Sequence, residues 1–469
     1  MTRPPVVLVA LVAAVALAPV VVARVEAQVE TIKIGVLSDR TGPFAAAGAL
    51  ANARGVKIAI DAINEGGGVL GKYRVVAVDA DTQSKTDVAI AEAERLFSVE
   101  RVDMLSGVFA SAQAVPLAEK LDKQQRVFWI TGAVSDAVFR GRNLHYVFRP
   151  HISSDMIGAV AVQYVASWAP EKLGKPAQDV KPAIVFEDGA FGAGVAAENE
   201  NEAKKFGMQV LLKESYPPTA QDFAAVLNKL TTMRPEVLFH AGYGADVPLF
   251  ARQFRQAKLK VRVMIGHGPG HSQLERLKEA LGRDVEGFHA VDVVQAPQVA
   301  AKLLKPAAAE ATQHMVRHYQ AEFGPGEVPV QVSVGFTSTW ILLTNVLPRA
   351  IGTHGGVGPD AVLKAARETD IADGGTPQGY GVRFYPPGHA MAGQNARAFP
   401  AVYQVIDGKF EIVFPPAIAS ATPVLPLPPS SAFALPPGAA VGPIPIPVKP
   451  GPGAAPAPGA TPPPGGTGR

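Results

Sequence analysis

The 469-residue sequence contains 46 glycines, 42 prolines and no cysteine, and 18% of its residues are charged. The absence of cysteine excludes disulfide bonds, thiolate metal centres, a thiol nucleophile and the lipidated cysteine that anchors a bacterial lipoprotein. A formal net charge of only +3 gives no electrostatic support for nucleic-acid binding.

The first 27 residues have the features of a cleavable secretion signal. Arg3 provides a basic start, residues 6–22 carry no charge, and residues 25–27 offer a small-x-small cleavage site. A retained membrane anchor is the alternative, but the apolar stretch is shorter than the roughly 20 residues that a spanning helix needs. We therefore predict cleavage after Ala27 and a free, non-lipidated periplasmic chain.

From residue 28 to residue 414 the sequence pattern alternates between strands and helices. The predicted strands are 31–37, 73–78, 103–106, 127–130, 183–186, 209–213, 237–240 and 261–265, and the predicted helices are 48–64, 87–97, 111–123, 192–206, 223–230 and 246–257. Such alternation predicts βαβ units and parallel sheets. Because the pattern restarts after Arg149, we predict an α/β fold of two doubly wound parallel-sheet lobes.

Residues 415–469 hold 18 of the 42 prolines, and only Lys449 and Arg469 carry side-chain charge there. Proline removes backbone donors and fixes φ, so this stretch cannot form a helix or the interior of a sheet. We predict a disordered Pro/Gly/Ala-rich tail that acts as a spacer or tether, although a ligand for a proline-binding domain is also possible.

Three loops of the predicted first lobe combine small residues, hydroxyl groups and free backbone N–H groups near a helix start. They span residues 38–44, 107–111 and 131–136, and the second loop ends with Phe109, Ala110 and Ser111. Ligands of doubly wound sheets bind beyond the carboxyl ends of the strands, and helix starts suit anionic groups. Ser111 and Ser135 could each be an ordinary helix cap, but three such loops at one sheet edge favour a ligand site.

The corresponding loops of the predicted second lobe carry aromatic, acidic and imidazole side chains. They span residues 187–192, 241–246 and 267–271 and contain Asp188, Tyr243 and His267. These groups could close over a ligand that the first lobe holds.

Catalytic motifs are poorly supported. The segment from Gly66 to Lys72 resembles a phosphate-binding loop, but Tyr73 follows it where Ser or Thr is required, and the order of strand and helix is reversed. The sequence contains no Gly-x-Ser-x-Gly nucleophile elbow, and the spacing of its residues identifies no set of nucleophile, general base and orienting group. We predict that the chain is not an enzyme and has no cofactor.

Glu310, His314 and His318 recur at intervals of four residues, so one helical face could hold a metal ion. No further ligand spacing supports such a site, and an exposed helix face explains the pattern. We predict no metal site.

An ordered set of short segments runs through the body. The segments are 34–38 with Thr41-Gly42-Pro43, 62–71, 78–81, 146–149 and Phe191-Gly192. With them the sequence resembles the solute-binding proteins of branched-chain amino acid (Leu/Ile/Val-type) ABC transporters, which are two-lobed periplasmic binding proteins of type I. The resemblance implies that lobe 1 comprises residues 28–149 and 290–385, and that lobe 2 comprises residues 150–289 and 386–414.

The resemblance also implies which residues contact the ligand. In the family a serine after the third strand, together with backbone and hydroxyl groups after the fourth, holds the α-carboxylate of the ligand. These positions correspond to Ser111, Ala133 and Ser135. Two aromatic residues of the second lobe correspond to Phe191 and Tyr243.

One position departs from the family pattern. Residues 266–268 read Gly-His-Gly where many relatives have Gly-Pro-Glu, so the acidic partner of the ligand's ammonium group is missing or displaced. His267 or Asp188 could supply the lost polar contact, and the ligand could be an amino acid, another small carboxylate, an aromatic acid or an amide.

The resemblance implies a monomeric periplasmic receptor that captures a small solute between two lobes by hinge closure and delivers it to ABC permease subunits. A ligand-sensing module of the same fold that does not take part in transport is the alternative.

Overall fold

A computed structural model of the chain describes Met1 and residues 30–444. The predicted secretion signal and residues 445–469 of the predicted tail lie outside the described residues.

Lobe 1 is built on a five-stranded sheet in which all strands are parallel and the order is β2-β1-β3-β4-β5. Its strands are β1 (Thr31–Ser38), β2 (Arg74–Asp81), β3 (Met104–Gly107), β4 (Phe128–Ile130) and β5 (Val147–Phe148). The helices of this part of the chain that pack on it are α1 (Leu50–Glu65), α2 (Thr86–Ser98) and α3 (Ser111–Lys123).

Lobe 2 contains a seven-stranded sheet of order β14-β13-β10-β9-β8-β6-β7. Strands β6 (Pro182–Glu187), β7 (Leu212–Tyr216), β8 (Val237–Ala241), β9 (Val263–His267) and β10 (His289–Asp292) run parallel, and β13 (Ala401–Ile406) and β14 (Lys409–Phe414) form an antiparallel edge. The helices of this lobe are α4 (Ser154–Trp168), α5 (Ala190–Lys205), α6 (Ala224–Met233), α7 (Val247–Gln256) and α8 (Leu274–Leu281).

The chain returns to lobe 1 after β10. It forms α9 (Pro306–Phe323), α10 (Val330–Ile341), α11 (Leu347–His354), α12 (Pro359–Arg367) and a small ribbon of β11 (Asp370–Ile371) and β12 (Val382–Arg383). One helical stretch, Val330–His354, is long and apolar enough to span a membrane, but 83% of its most apolar window is buried in the protein. It is therefore accounted for as a core helix of lobe 1.

The α/β fold with two parallel-sheet lobes is thus confirmed. The chain passes between the lobes near residues 149–153, 292–306 and 395–401. Two predicted boundaries differ. Residues 290–292 complete β10 in lobe 2, and residues 386–395 pack on lobe 1, where Gln394 bridges to Arg149 and a Cβ on Gly393 would touch the carbonyl of Val147.

The predicted end of the globular body at Phe414 is also too early. Residues 415–444 lie on lobe 2, with Leu427 and Phe433 buried in its core. The backbone N–H of Leu427 donates to the carbonyl of Arg262 at 2.7 Å, and that of Leu435 donates to the carbonyl of Val261 at 3.0 Å. Proline prevents regular structure here, but it does not prevent side chains from packing.

Candidate ligand-binding site

The carboxyl ends of the two sheets face each other across a small cavity between the lobes. The cavity has a volume of about 20 Å³. It is lined by Phe109, Ser111, Gly132, Val134, Ile157, Phe191, Tyr243, Gly268, Pro269, Asp292, Val293 and Gln331. Four of the predicted ligand-binding residues, Phe109, Ser111, Phe191 and Tyr243, are among them.

Ser111 occupies the start of α3 and is buried. The turn before it depends on Gly107, which has φ of +120°, and a Cβ there would lie 2.0 Å from the carbonyl oxygen of Leu37. The first N–H groups of a helix have no intrahelical acceptor and carry a partial positive charge. The α3 start therefore presents donors and positive potential to the cavity, beside the hydroxyl of Ser111.

The loop after β4 is held by Arg149 rather than left free for a ligand. The N–H of Ala133 donates to the carbonyl of Val108 at 3.0 Å, and the N–H of Ser135 donates to Ser111 Oγ at 3.1 Å. The carbonyls of Ala133 and Ser135 accept from Arg149 Nη1 at 3.2 and 2.8 Å. Ala133 and Ser135 thus support the cavity wall formed by Gly132 and Val134.

Two other predicted contacts on lobe 1 differ in position. Phe109 faces the cavity, whereas the backbone of Ala110 is engaged within lobe 1: its carbonyl accepts from Gln113 N–H at 3.1 Å, and its N–H contacts the buried carboxylate of Asp39. Burial raises the pKa of Asp39. Ala110 therefore belongs to the support of the α3 start and not to the cavity surface.

An aromatic cluster with rings from both lobes closes the cavity. The ring centroid of Tyr243 lies 5.3 Å from that of Phe191, 5.0 Å from that of Phe44 and 6.3 Å from that of Phe109. Gly268 has φ of +70°, and a Cβ on it would come within 2.4 Å of Phe191. The glycine after His267 is therefore required by the position of the Phe191 ring.

His267 and Asp188 do not take the positions predicted for them. His267 is buried inside lobe 2, where Nδ1 lies 3.2 Å from the carbonyl of His240 and Nε2 lies 3.3 Å from the amide of Asn199. Asp188 is exposed. Neither lines the cavity, so neither can replace the missing acidic residue in this arrangement of the lobes.

The sequence interpretation missed Asp292, the buried carboxylate that lines the cavity. It ends β10, the strand beside β9. Asp292 Oδ2 accepts from Ser272 Oγ at 2.7 Å and from Gln331 Nε2 at 3.1 Å, and Oδ1 accepts from the N–H of Val293 at 2.8 Å. Burial raises its pKa to about 6. An acidic residue at a strand end would have been the signal, had β10 been recognised.

A buried polar network supports Tyr243 from behind. Its N–H donates to Asp246 Oδ1 at 2.7 Å, and Asp246 Oδ2 accepts from the hydroxyl of Tyr216 at 2.6 Å. That hydroxyl lies 2.8 Å from His240 Nε2. Burial raises the pKa of Asp246 to about 6, so the network holds a carboxylate that is costly to ionise.

Hydrogen bonds also join the lobes beside the cavity. Ser135 Oγ of lobe 1 donates to the carbonyl of Ala190 of lobe 2 at 2.9 Å, and Gln273 Nε2 of lobe 2 donates to the carbonyl of Ala47 of lobe 1 at 2.9 Å. Together with the contact between Phe44 and Tyr243, they identify this arrangement as a closed one.

Comparisons with known proteins agree with this architecture. The profile of the periplasmic binding protein family matches residues 31–402. A Leu/Ile/Val-binding protein homolog of Brucella abortus is 30% identical over 385 residues, which cover 82% of this chain and 90% of the relative.

Solved structures of lower identity share the fold. One of them is the branched-chain amino acid transporter substrate binding protein of Streptococcus pneumoniae in complex with isoleucine. It is 18% identical to this chain and superposes with a TM-score of 0.65, and the match covers 82% of this chain and all of the S. pneumoniae chain. Another is an ABC transporter solute binding protein of R. palustris in complex with benzoate. It is also 18% identical and has a TM-score of 0.65, and the match covers 82% of this chain and 95% of the R. palustris chain. The chain belongs to the periplasmic binding protein family.

Proposed function

We propose that the chain is the extracytoplasmic receptor of an ABC importer and that it closes its two lobes around a small amino acid. The observation that carries the proposal is the pairing of opposite charges across one cavity: the start of α3 with Ser111 on lobe 1, and the buried carboxylate of Asp292 on lobe 2. An α-amino acid presents a carboxylate and an ammonium group that match these two ends. Delivery to permease subunits is part of the same proposal.

The carboxylate end of the ligand is assigned to the start of α3. The N–H groups of Ala133 and Ser135 already have acceptors, so we assign the carboxylate to the hydroxyl of Ser111 and the first N–H groups of the helix. A helix start is a favourable site for an anion because its N–H groups and dipole point at it.

The ammonium end is assigned to Asp292. Its three hydrogen bonds leave acceptor capacity, since two carboxylate oxygens offer about four lone-pair positions. A buried carboxylate beside a neutral ligand would keep its desolvation cost, whereas an ammonium group would offset that cost by a charge-assisted hydrogen bond. Asp292 thus takes the place of the acidic residue that is absent at Gly268.

Closure of the lobes is the expected response to the ligand. The cavity of about 20 Å³ has room for about one water molecule. An amino acid therefore enters from a more open arrangement, and closure around it requires the rings of Tyr243, Phe191 and Phe109 to make space. Binding that favours one arrangement of two lobes shifts their equilibrium towards it.

The identity of the ligand class is decided by Asp292 rather than by the fold. Proteins of this fold have been solved with isoleucine and with benzoate, so the architecture accepts carboxylates with and without an amino group. A benzoate-like ligand would leave Asp292 without a cation, and it would bring a second negative charge into the same small cavity. An amino acid is therefore the better match.

The proposal is tested by calorimetric titration of the mature chain after unfolding, dialysis and refolding to remove co-purified solutes. The probes are the aliphatic L-amino acids and two analogues of leucine, 4-methylpentanoate and 3-methylbutylamine, which each lack one charged group. We expect at least one amino acid to bind. We expect 4-methylpentanoate to bind at least about 30-fold more weakly than leucine, because the buried carboxylate of Asp292 would then have no cationic partner.

The substitution Asp292→Asn tests whether Asp292 binds the ammonium group of the ligand or only affects the cleft in general. The substitution should abolish the preference for the amino acid over its deaminated analogue, while Asp188→Asn, on an exposed carboxylate, should leave it unchanged. Binding of 4-methylpentanoate as tightly as leucine, or no heat with any amino acid, would contradict the proposal.

A further inference from the structure

Three side chains of lobe 1 meet away from the ligand cavity. His314 and His318 lie one turn apart on α9, with ring centroids 4.0 Å apart. Glu65, the last residue of α1, places Oε2 3.9 Å from His314 Nε2 and 3.5 Å from His318 Nε2. One ligand atom from each of the three residues falls within 4.8 Å of the others. None of the three lines the cavity between the lobes.

These distances suit a shared metal ion. Ligand atoms bound at about 2.0–2.1 Å to one tetrahedral ion lie about 3.3 Å apart. The two contacts between imidazole nitrogen and carboxylate oxygen, at 3.9 and 3.5 Å, exceed that spacing by about 0.6 and 0.2 Å. The imidazoles need only small rotations, since both project from the same face of one helix.

His314 presents a nitrogen without a hydrogen-bond partner. Its Nε2 is buried from solvent and bonds to no other atom of the described residues. An imidazole nitrogen without a hydrogen-bond partner is available to coordinate a metal ion.

The third ligand comes from an element that sequence spacing could not identify. The pattern on α9 offered Glu310, but Glu310 is not in the cluster, and Glu65 arrives from the end of α1. The carboxyl end of a helix also carries partial negative charge, which favours a cation beside Glu65. The prediction of an exposed helix face without a metal site considered only the residues of α9.

We propose that Glu65, His314 and His318 form a site for a divalent transition-metal ion of the zinc class, with water completing the coordination. Two imidazoles and one carboxylate suit Zn²⁺, Ni²⁺ and Cu²⁺ and do not suit Mg²⁺ or Ca²⁺, which prefer oxygen ligands. The bound ion joins the end of α1 to α9 within lobe 1. Glu65 and His318 are partly exposed, so the ion has a direct route from solvent.

The test uses the mature full-length chain without a polyhistidine tag, dialysed against a chelator and titrated with Zn²⁺. One Zn²⁺ per chain should bind, and Mg²⁺ should not compete. His314→Ala and His318→Ala should each weaken binding at least about tenfold, and Glu65→Gln should weaken it measurably, because each removes a ligand or a charge. The matched control is His145→Ala, which removes an exposed histidine on lobe 1 outside the cluster.

A second readout identifies the ligands directly. Electron paramagnetic resonance of the Cu²⁺ form should show coupling to two imidazole nitrogens in the parent chain and to one in His318→Gln, a substitution at a partly exposed position that keeps the helix. The absence of stoichiometric Zn²⁺ binding overturns the proposal. So does Zn²⁺ binding that all three substitutions leave unchanged, with folding of each variant verified by circular dichroism.

Discussion

Arg149 is the residue that holds the lobe 1 wall of the cavity in place. It is fully buried, and besides its bonds to Ala133 and Ser135 its Nε donates to Gln394 Oε1 at 2.5 Å. Its guanidinium lies 5.0 Å from the ring centroid of Phe139. Burial lowers its pKa to about 10, so it remains charged at neutral pH. The arginine thus connects the loop after β4 with the third passage between the lobes.

Replacing Arg149 by lysine should therefore damage both stability and binding. Lysine keeps the charge but lacks the planar fork that reaches three acceptors at once. We expect Arg149→Lys to lower the free energy of unfolding by about 2–4 kcal/mol, because buried acceptors lose their donors, and to weaken ligand binding. Denaturant unfolding and titration of the same samples measure both. Arg142→Lys, at a partly exposed arginine on the same lobe, is the control, and equal effects of the two would refute the role given to Arg149.

At the residue scale, three of the five residues that the family pattern predicts line the cavity, namely Ser111, Phe191 and Tyr243. The other two, Ala133 and Ser135, lie behind the cavity wall and bind Arg149. Asp292 escaped prediction because its importance depends on which strand lies beside β9, and that is a property of the sheet. His267 was misassigned because strand β9 continues to it, so that it lies within the lobe rather than in the following loop.

At the element scale, the segment after β14 shows how far composition can mislead. Proline content predicted that residues 415–444 would not pack. The structure buries Phe433 against Phe254 and Phe288, with ring centroids 5.8 and 4.8 Å away. This segment therefore completes the core of lobe 2, although it has almost no regular hydrogen bonding of its own.

Phe433→Ala should consequently destabilise the protein. Removing a fully buried phenylalanine costs about 3–5 kcal/mol through lost burial and the cavity left behind. Val424→Ala provides the control in the same segment, since Val424 is 47% exposed and should change the free energy of unfolding by less than about 0.5 kcal/mol. Chemical denaturation distinguishes the two, and equal midpoints would show that residues 415–444 do not contribute to folding.

Helices α1, α2 and α3 were predicted because each has a solvent face, so that their apolar residues recur with the helical period. Helix α4 was missed because it is buried on several sides, and its run of alanine and valine shows no such period. Strand β5, with two residues, is too short to produce a pattern.

At the scale of the whole molecule, buried ionisable groups whose pKa values are shifted in favour of the neutral form are concentrated in lobe 2. Burial lowers the pKa of four of its histidines and raises that of three of its carboxyl groups. The histidines are His240, His267 (to about 4), His271 (to about 3) and His289 (to about 3). The carboxyl groups are Glu187 (to about 7), Asp246 (to about 6) and Asp292 (to about 6).

The two sets have opposite effects on stability as the pH falls. Below about pH 6.5 the unfolded chain binds protons on the four histidines and the folded chain does not, so acid destabilises the fold. Between about pH 7 and pH 4.5 the folded chain binds protons on the three carboxyl groups and the unfolded chain does not, so acid stabilises the fold. The carboxyl groups cease to compensate below about pH 4.5, where both states are protonated.

We therefore expect the free energy of unfolding to change little from pH 7 to about pH 5 and to fall steeply below about pH 4.5. His289 tests the assignment, because it is buried between Tyr164 and the carbonyl of Met264. His289→Gln keeps a polar group that cannot titrate, so on going from pH 7 to pH 4.5 the variant should lose about 2 kcal/mol less stability than the parent. Denaturant unfolding at each pH measures this difference. His145→Gln, at an exposed histidine, should follow the parent curve, and a His289→Gln curve parallel to the parent at every pH would mean that His289 is already protonated in the folded chain.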